Sequence, residues 1–368
     1  MAYGWLDGGA LAVAALILQS LAYCAVLRSG YSKGPCLVVW ALISACGIPL
    51  PLAIFDPETH IAGVASVTAV ACWWLPLRTF GAVFGYGPAF HVIHTRDKNE
   101  HEIKFFVRFV LVLILPVNFQ IERRHLNDKL TQIQSPWFYL RQAVTMLPLG
   151  TYCILASSKL EDPIYPPVLL KICYALIVFS AATFMFDTCA IASILLAGLP
   201  CGRNFDKPWL AVSLQDFWSR RWNLMASNNL RDGVYLPLMS FLVPSSSQDK
   251  SFAIAQKRKY ELAQAAAVFM SFLASGMFHE LIIYNMTGEI RGEWLLYFPL
   301  QGIACLCEYT LARTFPAQVA KIPLAVRWLI TMGFLVATCD LFYRPILRGH
   351  IRERCFDNML QWTKLLTS

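Results

Sequence analysis

Ala265-Ala266-Ala267-Val268-Phe269-Met270-Ser271-Phe272-Leu273-Ala274-Ser275-Gly276-Met277-Phe278-His279-Glu280-Leu281-Ile282-Ile283-Tyr284 is the stretch whose reading decides the fold. It is close to the roughly 20 apolar residues that cross a hydrocarbon core as a helix, and it carries an ionisable side chain. Of the seven histidines, His279 alone is embedded in a long apolar run. His60, His91, His94, His101, His125 and His350 lie in or beside polar connections. A titratable group at membrane depth is costly and so marks a candidate functional site. Imidazole is also the side chain best able to take and return a proton near neutral pH. The competing reading is a core histidine hydrogen-bonded to a neighbouring helix, and this run alone leaves both open.

Composition extends the membrane reading to the whole chain. Its 368 residues are 57% hydrophobic and only 15% charged, with a mean hydropathy of +0.50. A soluble domain carries about 25% charged residues, so the deficit points to lipid as solvent. The first apolar stretch, Leu11–Leu27, lacks a basic leader and a small-residue cleavage site, and is expected to be a retained helix. Nothing resembles a nucleic-acid module. The 12 cysteines scatter through apolar segments without metal-site spacing, and Cys305-Leu306-Cys307 is too close and too buried for a ligand pair. They read as small core residues.

Working outward, apolar runs fall at Leu11–Leu27, Leu37–Phe55, Ile61–Phe90, Phe105–Val117, Trp137–Leu155, Val168–Leu199, Leu262–Tyr284, Trp294–Ala312 and Leu324–Tyr343. The expectation is an all-α, polytopic helical bundle with about eight or nine membrane segments, short interfacial helices and one domain over residues 1–368. Phe105–Val117 is short and carries Arg108, which suggests a re-entrant or buried element. Ile61–Phe90 and Val168–Leu199 are long enough to tilt or break, and Gly85, Gly87 and Pro88 read as a helix break. Lys/Arg bias places His91–Lys104, Glu122–Lys129 and Cys201–Trp222 on the cytosolic side, and the acidic connections Asp56–Thr59 and Glu161–Asp162 opposite. The basic tail Arg344–Arg354 conflicts with simple alternation. Either one segment is re-entrant or the count is off by one. Asn285-Met286-Thr287 is formally a glycosylation sequon, but it abuts the membrane.

The most unusual polar stretch is Ser213-Leu214-Gln215-Asp216-Phe217-Trp218-Ser219-Arg220-Arg221-Trp222-Asn223-Leu224-Met225. On an α-helix Asp216 and Arg220 would pair at four residues, and Trp218 and Trp222 would share a face. Such a segment suits a membrane interface, with indoles among headgroups and guanidiniums towards water. An ordinary amphipathic surface helix would look the same. Asn223 shifts the balance. An amide where the segment turns back to the bilayer can donate to a carbonyl oxygen that gains charge during acyl transfer.

Together with Ser275-Gly276-Met277-Phe278-His279-Glu280 some fifty residues on, this segment resembles the plant-type wax synthase branch of the membrane-bound O-acyltransferases. The resemblance is strongest over Asp206–Glu308 and looser through Arg78–Pro88 and Phe105–Pro116. It implies that His279 is the catalytic base and Asn223 the residue that positions the thioester carbonyl. It implies structural or acyl-CoA-side roles for Asp216, Trp218, Arg220, Arg221 and Trp222. The implied reaction is direct transfer of a fatty acyl group from acyl-CoA to a long-chain alcohol, without an acyl-enzyme, at the endoplasmic reticulum membrane. Sterol, terpenoid or diacylglycerol acceptors, and acetyl transfer, are alternatives within the class. Acyl-CoA is then a co-substrate that enters where Arg203, Lys207, Arg220 and Arg221 cluster. The acceptor alcohol occupies apolar space among membrane lipids, and no cofactor or metal is implied.

Glu280 follows the histidine, but Ile283 stands where a zinc-binding His-Glu-x-x-His pattern needs histidine. Asp187 and Lys171 are further intramembrane charges, each a candidate for lining a substrate chamber or for structural pairing. A transporter would also bury His, Asp and Lys, but no paired repeats with matched broken helices are evident. A catalytically silent lipid-binding protein is the third reading.

Overall fold

A computed structural model describes residues 5–30, 32–120, 133–162, 164–243, 253–351, 353–354 and 357. The described residues are almost entirely helical, with one isolated bridge between Phe119 and Cys201 and no strand. Among the described residues, seven helices are long and apolar enough to cross a membrane: Asp7–Arg28, Lys33–Ile54, Ile61–Val83, Pro167–Ala197, Lys257–Thr287, Glu293–Thr314 and Leu324–Arg348. The all-α polytopic expectation holds, with a lower count. The two elements that drop out have physical reasons. Glu102–Ile114 has only 13 residues, about 20 Å of helix. Pro136–Leu160 is long, with 25 residues, but Arg141, Gln142 and Lys159 dilute its apolar character. The basic stretch 122–129, with Arg123, Arg124, His125 and Lys129, lies outside the described residues.

The described chain packs into two compact units. One comprises Met1–Ile114, Asn229–Ile303 and Arg344–Ser368; the other comprises Leu115–Asn228 and Ala304–Tyr343.

In the first unit, the Ile61–Val83 segment is helical throughout but contains a π turn at Ala69–Trp74. Pro76 follows closely and has no N–H to continue the ordinary ladder. The break foreseen at Gly85 and Gly87 is present, both with positive φ (88° and 82°), and a new helix starts at Gly87. Arg78, only 2% exposed, explains how the short Glu102–Ile114 helix can end inside the protein. Its Nη1 donates to the carbonyls of Val112 and Leu113 in that helix's last turn, and its Nε donates to Asn229 Oδ1 at 3.1 Å. A cation there satisfies orphan carbonyls and the negative end of the helix dipole. Asp232 acts on Arg78 as the opposing charge. Arg108, flagged from the sequence, pairs with Glu100 at 2.7 Å.

The basic tail meets the acidic connection in this unit. Arg354 donates to the Pro57 carbonyl (2.5 Å) and the Met286 carbonyl (3.2 Å), and pairs with Glu58 at 3.3 Å. Arg354 therefore lies beside the acidic connection Asp56–Thr59, and Arg348 pairs with Glu293 at 2.7 Å. The sequon Asn285 is buried, and its amide donates to Thr68 at 3.0 Å.

The second unit is built on a hairpin of Pro136–Leu160 and Pro167–Ala197. The second of these runs unbroken for 31 residues, about 46 Å, so it exceeds a hydrocarbon core of roughly 30 Å and is long enough to tilt. Val117, Tyr139, Ala190 and Cys201 form a buried cluster at one end. There the segment after Gly198 (φ 62°) is strapped down, with Tyr139 Oη donating to the Gly202 carbonyl at 3.0 Å and Asn118 Nδ2 to the Arg203 carbonyl at 2.7 Å. Lys171 pairs with Asp340 at 2.8 Å, which is the structural role of the two considered for it. Asp187 is buried on the same long helix, and its Oδ2, like the hydroxyls of Ser180 and Thr183, has no hydrogen-bond partner.

Candidate active site

His279 sits on the helix Ala253–Thr287, in the first unit. Two glycines let its neighbours approach closely: a Cβ on Gly276 would meet the Trp294 carbonyl at 2.9 Å, and one on Gly302 would meet Phe272 at 3.0 Å. The helix Glu293–Thr314 therefore lies tightly along the histidine helix. Three aromatic rings surround the imidazole, with centroids at 4.3 Å (Phe298), 5.0 Å (Trp73) and 5.4 Å (Trp294). His279 is partly exposed, while all three rings are buried.

One hydrogen bond defines its chemistry. His279 Nδ1 lies 2.7 Å from the Ser275 carbonyl oxygen. A carbonyl only accepts, so Nδ1 carries the proton and, in the neutral ring, Nε2 presents the lone pair. An i−4 backbone carbonyl thus sets both ring orientation and tautomer.

Glu280 is buried and turned away from metal chemistry. Its Oε1 accepts from the backbone N–H groups of Arg291 (2.6 Å) and Gly292 (2.5 Å). These sit in the turn leading into the helix that carries Trp294 and Phe298, so Glu280 anchors the wall beside the histidine. Among the described residues no group of three His, Cys, Asp or Glu side chains is placed to hold a metal ion. Cys305 is buried as expected, but Cys307 is exposed.

Asn223 lies in the second unit. It has a left-handed backbone (φ 43°), and its Oδ1 accepts from the Ala226 N–H at 3.2 Å. Asparagine tolerates that backbone better than most residues. With the amide oxygen turned to the start of the helix Leu224–Leu230, the side chain presents Nδ2–H2, a pure donor.

Around it, the α-helical reading of Phe217–Arg221 is corrected. The segment is a π turn, in which the backbone bonds run to the fifth residue. Trp222 N–H accordingly donates to the Phe217 carbonyl at 2.8 Å. Asp216 pairs with Arg221, not Arg220, at 2.6 Å from Nε. Trp222 stacks on Phe217 (5.5 Å, 13°) and not beside Trp218, whose carbonyl accepts from the Ser227 hydroxyl at 3.0 Å. Phe179 and Phe205 complete the aromatic packing on Trp222. Asp216, Arg221 and Trp222 thus build the scaffold beneath Asn223, whereas Arg220 is exposed, as is Lys207. Arg203 is tied to Asp206 (3.5 Å) and lies over Phe138.

Sequence reading missed Trp73, Trp294 and Phe298. The Trp73-Trp74 pair and the four-residue spacing of Trp294 and Phe298 were visible, but nothing in them pointed to His279. It also missed Glu308, which accepts from the N–H groups of Leu214 and Gln215, both at 3.2 Å.

Residues 201–300, which enclose both Asn223 and His279, match the model of the membrane bound O-acyl transferase family. The chain is similar along most of its length to proteins of Arabidopsis thaliana. It is 29% identical over 358 residues to the probable long-chain-alcohol O-fatty-acyltransferase 1, covering 95% of each chain. It is 25% identical over 344 residues to the probable long-chain-alcohol O-fatty-acyltransferase 3, covering 93% of this chain and 90% of that one. Acyl-CoA–sterol O-acyltransferase 1 is 26% identical over 353 residues, with 93% and 91% covered. The polytopic helical chain, its match to the membrane bound O-acyl transferase family over residues 201–300 and its similarity to these acyltransferases along most of its length identify it as a membrane acyltransferase.

Proposed function

We propose that this protein transfers a fatty acyl group from acyl-CoA to the hydroxyl of a long-chain alcohol, forming a wax ester at the endoplasmic reticulum membrane. The observation that carries the reading is His279, with Nδ1 held on the Ser275 carbonyl and Nε2 left as base. Nε2 takes the proton of the alcohol as its oxygen attacks the thioester carbonyl carbon. The carbonyl electron pair moves to oxygen, and the developing charge calls for a hydrogen-bond donor, the role that the resemblance gives Asn223. The intermediate collapses, the C–S bond breaks, and the imidazolium returns its proton to the departing CoA thiolate. Ester and free CoA result, with His279 neutral again. No acyl-enzyme is needed, because holding both substrates together supplies the advantage of proximity. Exposed Arg220 and Lys207 suit the polyanionic CoA.

A sterol acceptor is the second reading, favoured by the similarity to the acyl-CoA–sterol O-acyltransferase. The test is acyl transfer in microsomes from a host without wax esters, using labelled palmitoyl-CoA with a long-chain alcohol, a sterol or diacylglycerol. Labelled wax ester that disappears in a folded His279→Ala variant is the expected result. Label only in sterol ester or triacylglycerol would move the acceptor. No product from any acceptor, acetyl-CoA included, would overturn the reading.

A further inference from the structure

Trp73 is 6% exposed, and its Nε1–H has no hydrogen-bond partner. An indole nitrogen can only donate, and burying it unpaired is costly. Two other indoles, Trp40 and Trp328, are paired, donating to the Pro76 carbonyl at 3.0 Å and the Trp209 carbonyl at 2.7 Å, whereas Trp74 Nε1, like that of Trp73, is not. Trp73 is instead held in place by its rings. It stacks on Phe278 (5.6 Å, 11°) and meets His279 edge to face, with centroids 5.0 Å apart and planes at 62°. It is the next-to-last residue of the π turn Ala69–Trp74, a local geometry frequent at functional sites. All of these residues belong to the first unit.

We propose that the Trp73 indole N–H is a catalytic hydrogen-bond donor to the thioester carbonyl oxygen that reacts at His279. The polarities are complementary. Nε2 of His279 only accepts and so takes the hydroxyl proton. The group beside it only donates, and the carbonyl oxygen has lone pairs and no hydrogen. As the alcohol oxygen bonds to the carbonyl carbon, the π pair moves onto that oxygen, and a buried donor gains strength as the charge grows. The proposal rests on the His279 reading and is independent of Asn223.

The test removes the N–H and keeps the ring, by Trp73→Phe and by site-specific replacement of Trp73 with its sulfur isostere benzothienylalanine. Trp74→Phe is the comparison, since Trp74 Nε1 is equally unpaired but its ring is not among those around the imidazole. The expected result is a kcat lowered on the order of 10²-fold, with KM for acyl-CoA unchanged because the bond matures in the transition state. Thermal stability should be kept, since an unpaired buried donor has been removed, and Trp74→Phe should keep full kcat. A wild-type kcat in whichever Trp73 variant folds overturns the proposal. So does a kcat loss in the isostere that comes with lost stability, which would mark a structural ring. Activity surviving in His279→Ala would instead remove the reading beneath it, whatever Trp73 does.

Discussion

Glu280→Ala should loosen the wall of the site without touching the reacting atoms. Its Oε1 accepts two backbone N–H groups, from Arg291 and Gly292. Hydrogen bonds to a charged group contribute about 1.5–3 kcal/mol each, so the pair sums to about 3–6 kcal/mol. The second oxygen, Oε2, is buried without a partner, and its desolvation offsets part of that sum. A loss near 3 kcal/mol is therefore expected, which for a chain of this size lowers Tm by roughly 4 °C. Glu280→Gln keeps an acceptor at Oε1 but loses the charge assistance, which is worth about half the bond strength, so its loss should be about half as large. The same turn leads to Trp294 and Phe298, which flank His279 at 5.4 and 4.3 Å. A displaced wall should lower kcat in the same order, Ala more than Gln. Thermal unfolding in detergent, read beside kcat, checks both. An alanine variant with the Tm and kcat of wild type would refute the reasoning, as would a glutamine variant as damaged as the alanine one.

Arg78→Leu should destabilise the first unit by about 3–5 kcal/mol, because it strips the carbonyls of Val112 and Leu113 and removes one of the two cations, with Arg231, that face Asp232. Arg78→Lys should not rescue it, since an ammonium lacks the planar fork that reaches Asn229 and Leu113 together; yield and thermal unfolding of the two variants decide. Asn223→Gly keeps the left-handed backbone and should lose only a few tenths of a kcal/mol, whereas Asn223→Ala loses the cap as well as adding strain, about 1–2 kcal/mol. Both should lower kcat by about 10²–10³-fold if the amide donates to the oxyanion, and a fully active glycine variant would sink that role.

The parts of the fold legible in the sequence are those that a local rule controls. Apolar runs of membrane length placed the spans, and Gly85-Tyr86-Gly87-Pro88 placed the break. His279 stood out because one polar residue in a long apolar run is expensive. The rest depended on partners far away in sequence or on irregular backbone. Arg78 is explained by carbonyls 34 and 35 residues on, and a backbone carbonyl leaves no mark in a sequence. Glu280 looked like half of a zinc motif because its partners are backbone N–H groups, which every residue offers. The Asp216–Arg221 pair was misassigned for a simpler reason. Four-residue spacing assumes an α-helix, and Phe217–Arg221 is wound wider.

That wider winding has a consequence for how such a chain tolerates length changes. A π turn holds one residue more than the α-helix it interrupts, so it amounts to a stored insertion. Deleting one residue between Ala69 and Trp74 could be absorbed by relaxing to ordinary helix, leaving the flanking turns in phase with their neighbours. The ring at Trp73 would then swing by about 100° around the helix axis and leave the imidazole behind. The segment can therefore lose a residue and still fold as a membrane helix while losing its approach to His279.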